Sequence, residues 1–424
     1  MSGLRVLVVG ASIAGPTAAY WFAKAGARVT VIERFQSLRT GGQNIDIRTC
    51  GVTVMRRMKG MEAAVRAKSA QIEGLSWVDD KGQPYGVLKA TGNPDQQSLI
   101  SEYEIYRGDL VRVLYDMTKD NESVEYVFGE QVKSIQQDEK ENGPVQVDFL
   151  NGKSSETYDL VVACDGATSR TRAIGLGCEV RDHVKSANCW SAYFSISRDV
   201  LEGSKIGNAI SAVGGRFVSA ELHPEGTTRI ALMKINRPGE EGPNIKFQEA
   251  SKSGADILKK FITEQFSGIG WKTQEFLQEM LDAKDFYASE TLQVKVPKLY
   301  NGRFVLVGDA GYAPGLTGTG TSLAMTGAYI LAGEIGKQPD NLKAALESYE
   351  QVMRPIIKAL SFVPPLVPTI MAPQTAWGIW LRNTIFAVVA KTNIVGIVSK
   401  AFGHFSAAFA RNDEHKLPVY HWKN

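Results

Sequence analysis

Six consecutive residues, Gly10-Ala11-Ser12-Ile13-Ala14-Gly15, and a carboxylate that follows them at Glu33 have the types and spacing to hold a dinucleotide. Gly10 permits a tight turn, and Gly15 lets a helix pack closely on the preceding strand. The backbone N–H groups of Ala11, Ser12, Ile13 and Ala14 then surround a pyrophosphate, whose charge the positive end of the helix dipole favours. Ser12 stands at the middle position in place of glycine, and its small side chain still allows close approach of the backbone. Glu33 closes the next strand, where its carboxylate accepts hydrogen bonds from a ribose diol, with Arg34 beside it at the same site. This turn alone does not say which dinucleotide is bound.

Two later motifs decide that question. Asp159 to Arg172 reads DLVVACDGATSRTR and delivers Asp165-Gly166 to a turn, with Ser169 and Arg172 following. Arg303 to Ala324 reads RFVLVGDAGYAPGLTGTGTSLA and delivers Gly308-Asp309 to a glycine-rich loop. NAD has no use for so distant a further site, whereas the ribityl chain and ring of FAD do. Asp309 accepts from a ribityl hydroxyl, Gly318 and Gly320 let the backbone approach a flat ring edge, and Thr321 begins a helix. No charged residue lies between Asp309 and Glu334. The helix start therefore presents an uncompensated positive dipole end, suited to the negative charge that a reduced flavin carries near N1.

These motifs need strands and helices to place them. Leu4–Val9 is an apolar run expected to be a buried parallel strand, Pro16–Ala25 a helix stopped by Gly26, and Arg28–Glu33 a second strand. Helix is also expected at Arg107–Leu114 and strand at Asp159–Cys164 and Arg303–Val307. Between Gly74 and Ser101 the chain reads as hairpin, with turns at Asp80-Lys81-Gly82 and Gly92-Asn93-Pro94. From about Asn188 to Ile235 it reads as β, in NCWSAYFSIS, GGRFVSAEL and GTTRIALMKI. Ala250–Ala283 reads as polar helix, and the chain beyond Pro355 as apolar helix.

With its three motifs in order, the chain resembles the class A flavoprotein monooxygenases, the para-hydroxybenzoate hydroxylase-like family, over roughly residues 4–350. The resemblance implies an α/β fold with a glutathione-reductase-type Rossmann FAD-binding domain (1–75, 101–178 and 298–350). Inserted into it is a mixed β-sheet substrate domain (76–100 and 179–297), and a C-terminal helical cap follows (351–424). It implies non-covalent FAD, reduction by NADH or NADPH, and a flavin C4a-hydroperoxide that hydroxylates or epoxidises a small aromatic molecule. Arg107, in YRGDLVRVL, matches the family arginine on the flavin side of the cofactor. Gly42 and Asp46, in GGQNIDIR, lie where the family's mobile-flavin loop passes the ring, with Arg39 just before. GGQNIDI is also similar to the tetracycline-inactivating branch, which implies polycyclic or polyketide-like substrates and a place in specialised metabolism. Tyr312 departs from the histidine that many members carry, and the loop from Asp309 to Gly320 is a residue shorter than the common form.

Tyr193, Arg216, His223 and Arg229, all in the β region, are the candidates to touch substrate; the alternative for each is a packing or surface role. No catalytic base is assigned, and His183, His404, His415 and His421 have no motif around them. The apolar stretch Pro355–Ala410, with Trp377 and Trp380, is expected to wall the active site; the alternative is a helix lying on a membrane surface. Two other functions are open. A flavin-dependent halogenase shares the fold, but its WxWxI motif is matched only by the misplaced Trp377-Gly-Ile-Trp380. A non-catalytic flavin-binding module would oxidise no NAD(P)H.

The remaining features set bounds. Among 424 residues there are 48 basic and 45 acidic side chains, a balance that gives no electrostatic reason to propose nucleic acid as a partner. Cys50, Cys164, Cys178 and Cys189 form no CxxC pair and have no histidine at metal-ligand spacing, so no metal is expected and a reducing, cytoplasmic compartment is. The apolar first 23 residues are accounted for by the glycine motif rather than by a signal peptide, and no transmembrane helix is expected. Oligomeric state is not legible.

Overall fold

The computed structural model describes residues 3–39, 41–69, 72–89, 103–137, 143–237, 239–240, 242–364, 367–392 and 417–422. At its centre is a six-stranded sheet whose order in space is Tyr300–Asn301, Phe304–Leu306, Leu160–Ala163, Arg5–Val9, Arg28–Glu33 and Val124–Phe128. All neighbours are parallel except the first pair. Strands buried on both faces read as unbroken apolar runs, and RVLVV and LVVA do so. Register matters more here than strand length. Val9 lies opposite both Ile32 and Ala163, and Ala163 opposite Leu306, so the carboxyl ends of the central strands finish level. In open parallel sheets that edge is where ligands bind.

The helix Ala14–Lys24 leaves this edge with Trp21 and Phe22 fully buried, and packs against the buried helix Gly320–Lys337. Residues 417–422 dock on the same pair of helices. The Tyr420 hydroxyl donates to Glu334 Oε1 at 2.7 Å, Arg57 donates to the Pro418 carbonyl at 2.8 Å, and Trp422 packs 4.7 Å from Trp21.

The second large sheet has seven strands, in the order Tyr287–Val294, Val184–Ile196, Thr228–Ile235, Arg216–Leu222, Ile206–Ala212, Gly74–Val78 and Pro84–Lys89. Strand side chains alternate between faces. Trp190, Ala192, Phe194, Val218, Ala220, Ile230 and Leu232 share a core with Phe247, Ile262 and Phe276 of three covering helices, Gly242–Lys252, Ala255–Phe266 and Thr273–Asp282. Burying each large side chain of that kind contributes about 1.5–3 kcal/mol, which commits this face to the helices. Residues of the opposite parity, among them Tyr193, Ser219, Glu221 and Arg229, face the antiparallel strand pair Asn44–Asp46 and Glu104–Tyr106.

Several details differ from expectation. The boundary expected at 75/76 cuts the strand Gly74–Val78, which belongs wholly to the seven-stranded sheet through its parallel pairing with Ile206–Ala212. The boundary expected at 350/351 cuts the single helix Leu342–Leu360, which contains Pro355. A three-stranded antiparallel sheet, Val132–Gln137, Val145–Phe149 and Glu156–Tyr158, carries so many polar residues that its pattern did not read as strand. The turn at Gly92-Asn93-Pro94 lies outside the described residues, as do His404 and His415.

The C-terminal stretch is not one cap. Helix Ala376–Thr392 lies on the strands Pro84–Lys89 and Ile206–Ala212, with Arg382 donating to Ser211 at 2.9 Å, whereas residues 417–422 sit on the helices beside the six-stranded sheet. Trp377, Trp380, Ile385 and Val388 of that helix are exposed. Among the described residues, no helix is long and apolar enough to cross a membrane.

Candidate active site

The first two motifs meet in one groove at the carboxyl edge of the six-stranded sheet, and the third lies next to it, near Arg107 of the groove lining. The groove encloses about 1010 Å³, counting space open to solvent, and residues from three chain segments meet there: Gly10–Ser12, Glu33–Phe35 and Cys164–Gly166. Gly10 has φ 106°, and a Cβ on it would lie 2.7 Å from the Cys164 carbonyl oxygen. A Cβ on Gly15 would lie 1.8 Å from the Gly10 carbonyl oxygen, so only glycine allows the helix to start so close to the turn. Ala11 lines the groove and donates its N–H to Glu33 Oε2 at 2.9 Å, and Phe35 donates to Oε1 at 3.1 Å. Those two bonds hold the carboxylate at the groove wall. Ile13 and Ala14 are buried at the start of the helix behind it.

The second turn is tied to the third. Asp165 accepts from the Ser169 hydroxyl and from the Thr171 N–H at 3.1 Å, while burial pushes its carboxyl above the ordinary range. Gly166, beside it, takes φ 88°. Arg172 is fully buried and donates to the carbonyls of Ala167 at 3.0 Å, Ala310 at 2.9 Å and Val180 at 2.8 Å. One guanidinium thus fixes the loop after Asp165-Gly166 relative to the loop after Gly308-Asp309. Gly308 takes φ 69° and ends the strand. The Asp309 carboxylate is accessible, yet deep within the fold; burial raises its pKa and the nearby Arg107 pulls the other way. Gly318 takes φ 72° with open space before it, and a Cβ on Gly320 would lie 3.5 Å from Asp309. The helix begins at Gly320, one residue before Thr321, which is buried in its first turn.

The segment around residue 42 crosses between this groove and a second cavity. Gly42 takes φ 145° with Arg107 Cβ 3.1 Å from where its own Cβ would be, and the Arg107 N–H donates to the Gln43 carbonyl at 3.1 Å. The Arg107 guanidinium donates to Ser12 Oγ at 3.1 Å, bridging the first turn to the segment around Gly42. Arg39 packs over Phe35 and Tyr287, and Arg34 over Phe35. Asp46 accepts from Arg48 Nε at 3.0 Å, and the Arg48 N–H donates to Ser322 Oγ at 2.9 Å, at the start of the helix Gly320–Lys337. Tyr312 turns away from all of this: it is buried, 3.2 Å from the Tyr349 hydroxyl, against Gly327.

The second cavity encloses about 450 Å³ between the 42–44 segment, Tyr106, and the polar face of the seven-stranded sheet. Tyr193, Ser219, Glu221, Arg229 and Asp285 line it. Arg229 donates to Asp285 Oδ2 at 2.7 Å and lies over the Tyr106 ring, 4.6 Å from its centroid. Ser195 donates its hydroxyl to Asp285 and its N–H to Asp285 Oδ1 at 3.1 Å. The Asn44 amide donates to Glu104 Oε1 at 2.6 Å and to Glu221 Oε2 at 3.1 Å. Burial, opposed by the Asn44 bond and reinforced by the Asp46 charge, pushes the Glu221 carboxyl up to about 7. Burial and the neighbouring Glu221 push Glu104 well above the carboxylate range, and burial pushes the Tyr193 hydroxyl to about 12.

A family model described as an FAD binding domain matches residues 3–361. An FAD-dependent monooxygenase of Sarocladium schorii is 32% identical over 421 residues, covering 93% of this chain and 95% of that protein. The chain belongs to the class A FAD-dependent monooxygenases. A monooxygenase of Cercospora beticola is likewise 32% identical, over 93% of this chain and 94% of its own. The crystal structure of a tetracycline destructase superposes with a TM-score of 0.77 at 26% identity, over 98% of this chain and all of that one. The residues present suit the cofactor: a glycine turn that a single Cβ would block, the Glu33 carboxylate held at the groove wall beside it, and an exposed Asp309 before an uncharged helix start.

In this flavoprotein monooxygenase the four substrate candidates separate. Tyr193 and Arg229 line the second cavity. His223 does not: its ring packs at a tilt against that of Tyr106, 4.6 Å between centroids, with Nε2 4.0 Å from Asp109. Arg216 is a correction. Its even position on the strand places it on the helix-covered face, where it donates to the carbonyls of Gln265 at 3.1 Å and Ser267 at 3.4 Å, at the end of the helix Ala255–Phe266. Parity alone carried that information, since Phe217, Ser219 and Glu221 are the residues that share the cavity face. Glu221, Glu104, Asn44 and Asp285 were missed, because only the fold brings their four segments together.

Proposed function

We propose that this flavoprotein uses NADH or NADPH and dioxygen to hydroxylate or epoxidise a small aromatic or polyketide-like substrate in specialised metabolism. Non-covalent FAD, once reduced, supplies the oxygen-transferring C4a-hydroperoxide in this reading. The observation that carries it is the 41–44 segment: Gly41 lines the cofactor groove, Gly42 to Asn44 line the second cavity, and the two spaces share that wall. A ring reaching the end of the groove would therefore face a substrate in the cavity.

The protein's own part is binding, orientation and exclusion of water. Residues 10–15 cradle the pyrophosphate, Glu33 takes the ribose, and Asp165, Gly166, Asp309 and the 318–321 turn take the far half, with Arg107, Arg34 and Arg39 along the groove. Tyr193 and Arg229 contact substrate. We also propose a Rossmann-type cofactor domain around the six-stranded sheet, with the seven-stranded sheet as an inserted substrate domain. The four free cysteines suit a reducing, cytoplasmic setting. The tetracycline destructase likeness supports a polycyclic substrate class.

The test is the visible spectrum of the purified protein, heat release and chromatography of its cofactor, then NAD(P)H oxidation with phenolic and polyketide compounds. Released FAD and substrate-stimulated oxidation are expected. A protein that refuses added FAD, or that oxidises no NAD(P)H with any compound, would refute the reading.

A further inference from the structure

We propose that the second cavity takes a neutral, hydroxyl-bearing ring, and that Glu221 receives the proton of that hydroxyl. This rests on the monooxygenase reading and assigns the substrate class and the base within it.

The charges around the cavity argue for a ligand that donates hydrogen bonds and carries no carboxylate. Asp46 and Asn44 face Glu221 from one strand, Glu104 and Tyr106 from its partner, and Tyr193 and Arg229 from the sheet; His223 follows on its own strand, against Asp109. Arg48 is engaged by Asp46 at 2.9 Å and Arg229 by Asp285 at 2.7 Å. Glu104 and Glu221 instead share the amide of Asn44, with no ion pair to either among the described residues. Burial disfavours ionisation of Glu104, so a ligand carboxylate placed here would be repelled chiefly by the ionised form of Glu221 in a low-dielectric space. A ligand hydroxyl would be welcomed by it.

A second observation points to a ligand independently of the acids. Tyr106 lines the cavity and is only 4% exposed, and its hydroxyl has no partner among the described residues. A buried unpaired hydroxyl costs free energy until something bonds to it. A polar substituent on a ring lying in the cavity is that partner.

The proton step balances without any further reagent. The substrate O–H bond breaks, the proton forms an O–H bond on Glu221, and the electron pair left on oxygen is drawn into the ring. That enriches the ring carbon which takes up one oxygen atom of dioxygen; the other atom leaves as water, with NAD(P)H as reductant. When the ring becomes aromatic again, its carbon loses a proton to solvent and Glu221 returns its own to the ring oxygen. Ionisation close to neutrality is what a base of this kind requires, and the environment of Glu221 supplies it.

The experiment uses the FAD-loaded enzyme without NAD(P)H, so that binding and ionisation are read apart from turnover. The probes are 2,4-dihydroxyacetophenone and the matching acid, 2,4-dihydroxybenzoate, followed through perturbation of flavin absorption and the phenolate band of the ketone. The wild-type enzyme is expected to bind the ketone at least about tenfold more tightly than the acid, and the bound ketone to ionise as pH rises through about 7. Glu221→Gln should abolish that ionisation and improve binding of the acid about tenfold. Equal or tighter binding of the acid by wild type, no binding of the ketone up to about 10 mM, or a phenolate band and selectivity unchanged in the variant would each overturn the proposal. Should the variant lose its flavin, the wild-type selectivity and phenolate titration decide alone. Failure of the monooxygenase reading shows elsewhere, as absent FAD or absent NAD(P)H oxidation.

Discussion

Replacing Glu221 by glutamine should stabilise this protein at alkaline pH and leave it unchanged at acid pH. Burial first, then the Asp46 charge, move the Glu221 carboxyl from the ordinary 4.5 to about 7 against the opposing Asn44 bond. A carboxyl whose folded pKa is raised holds its proton more tightly folded than unfolded. Stability therefore falls as pH rises from about 4.5 to about 7, and the loss is complete above that window. The size of the loss follows from the displacement, roughly 3 kcal/mol at about pH 8. Glutamine keeps the shape and an oxygen for the Asn44 amide but carries no charge, so it escapes the loss. It also relieves Glu104, on which the Glu221 charge acts directly. The assay is the thermal midpoint of the FAD-loaded enzyme at about pH 5 and about pH 8, with an expected gain for the variant of about 3 °C or more at the higher pH only. A difference independent of pH, or a variant less stable at the higher pH, would refute the charge argument.

Asp309→Ala should lose most bound FAD while Glu33→Ala retains more of it, since the second carboxylate is one of several contacts at its end of the groove; flavin absorbance per protein reads this directly. Gly15→Ala should abolish flavin binding and cost at least about 3 kcal/mol, because its Cβ would lie 1.8 Å from the Gly10 carbonyl and neither backbone can retreat. Arg216→Ala should cost about 1–2 kcal/mol in denaturant unfolding through the lost carbonyl bonds, with substrate-stimulated oxidation unchanged. Arg229→Ala should retain flavin yet lower that oxidation by at least about tenfold, having left Asp285 without its ion pair in the cavity wall.

Much of the cofactor groove was legible in the chain because its requirements are local. A turn that needs Gly10 and Gly15, a strand that ends at Glu33, and a strand that ends at Asp309 each announce themselves within a dozen residues. The substrate cavity is different in kind. Asn44, Glu104, Glu221 and Asp285 come from four separated segments, and each one alone is an ordinary polar residue of a strand or loop. The raised pKa values of Glu104 and Glu221 come from burial and from the carboxylates that the fold sets beside them, which no spacing encodes. Arg216 and Arg229 look alike as letters; only the alternation of the strands that carry them, fixed by Val218, Ala220, Ile230 and Leu232 seeking the helices, separates a helix-end ligand from a cavity wall. The polar strands of the three-stranded sheet were obscured for the reverse reason, since their exposed faces blur the pattern.

The strand Phe304–Leu306 completes the central sheet beside Leu160–Ala163, and Arg172 reaches the Ala310 carbonyl just beyond it. During synthesis, then, the first turn emerges some three hundred residues before the strand that finishes its groove. The strand Leu160–Ala163 must wait with its outer edge unpaired until then, and a nascent chain lacks the third motif of its proposed cofactor site until that strand has left the ribosome. Cofactor capture in this protein is accordingly expected to be a late event, after most of the chain has been made.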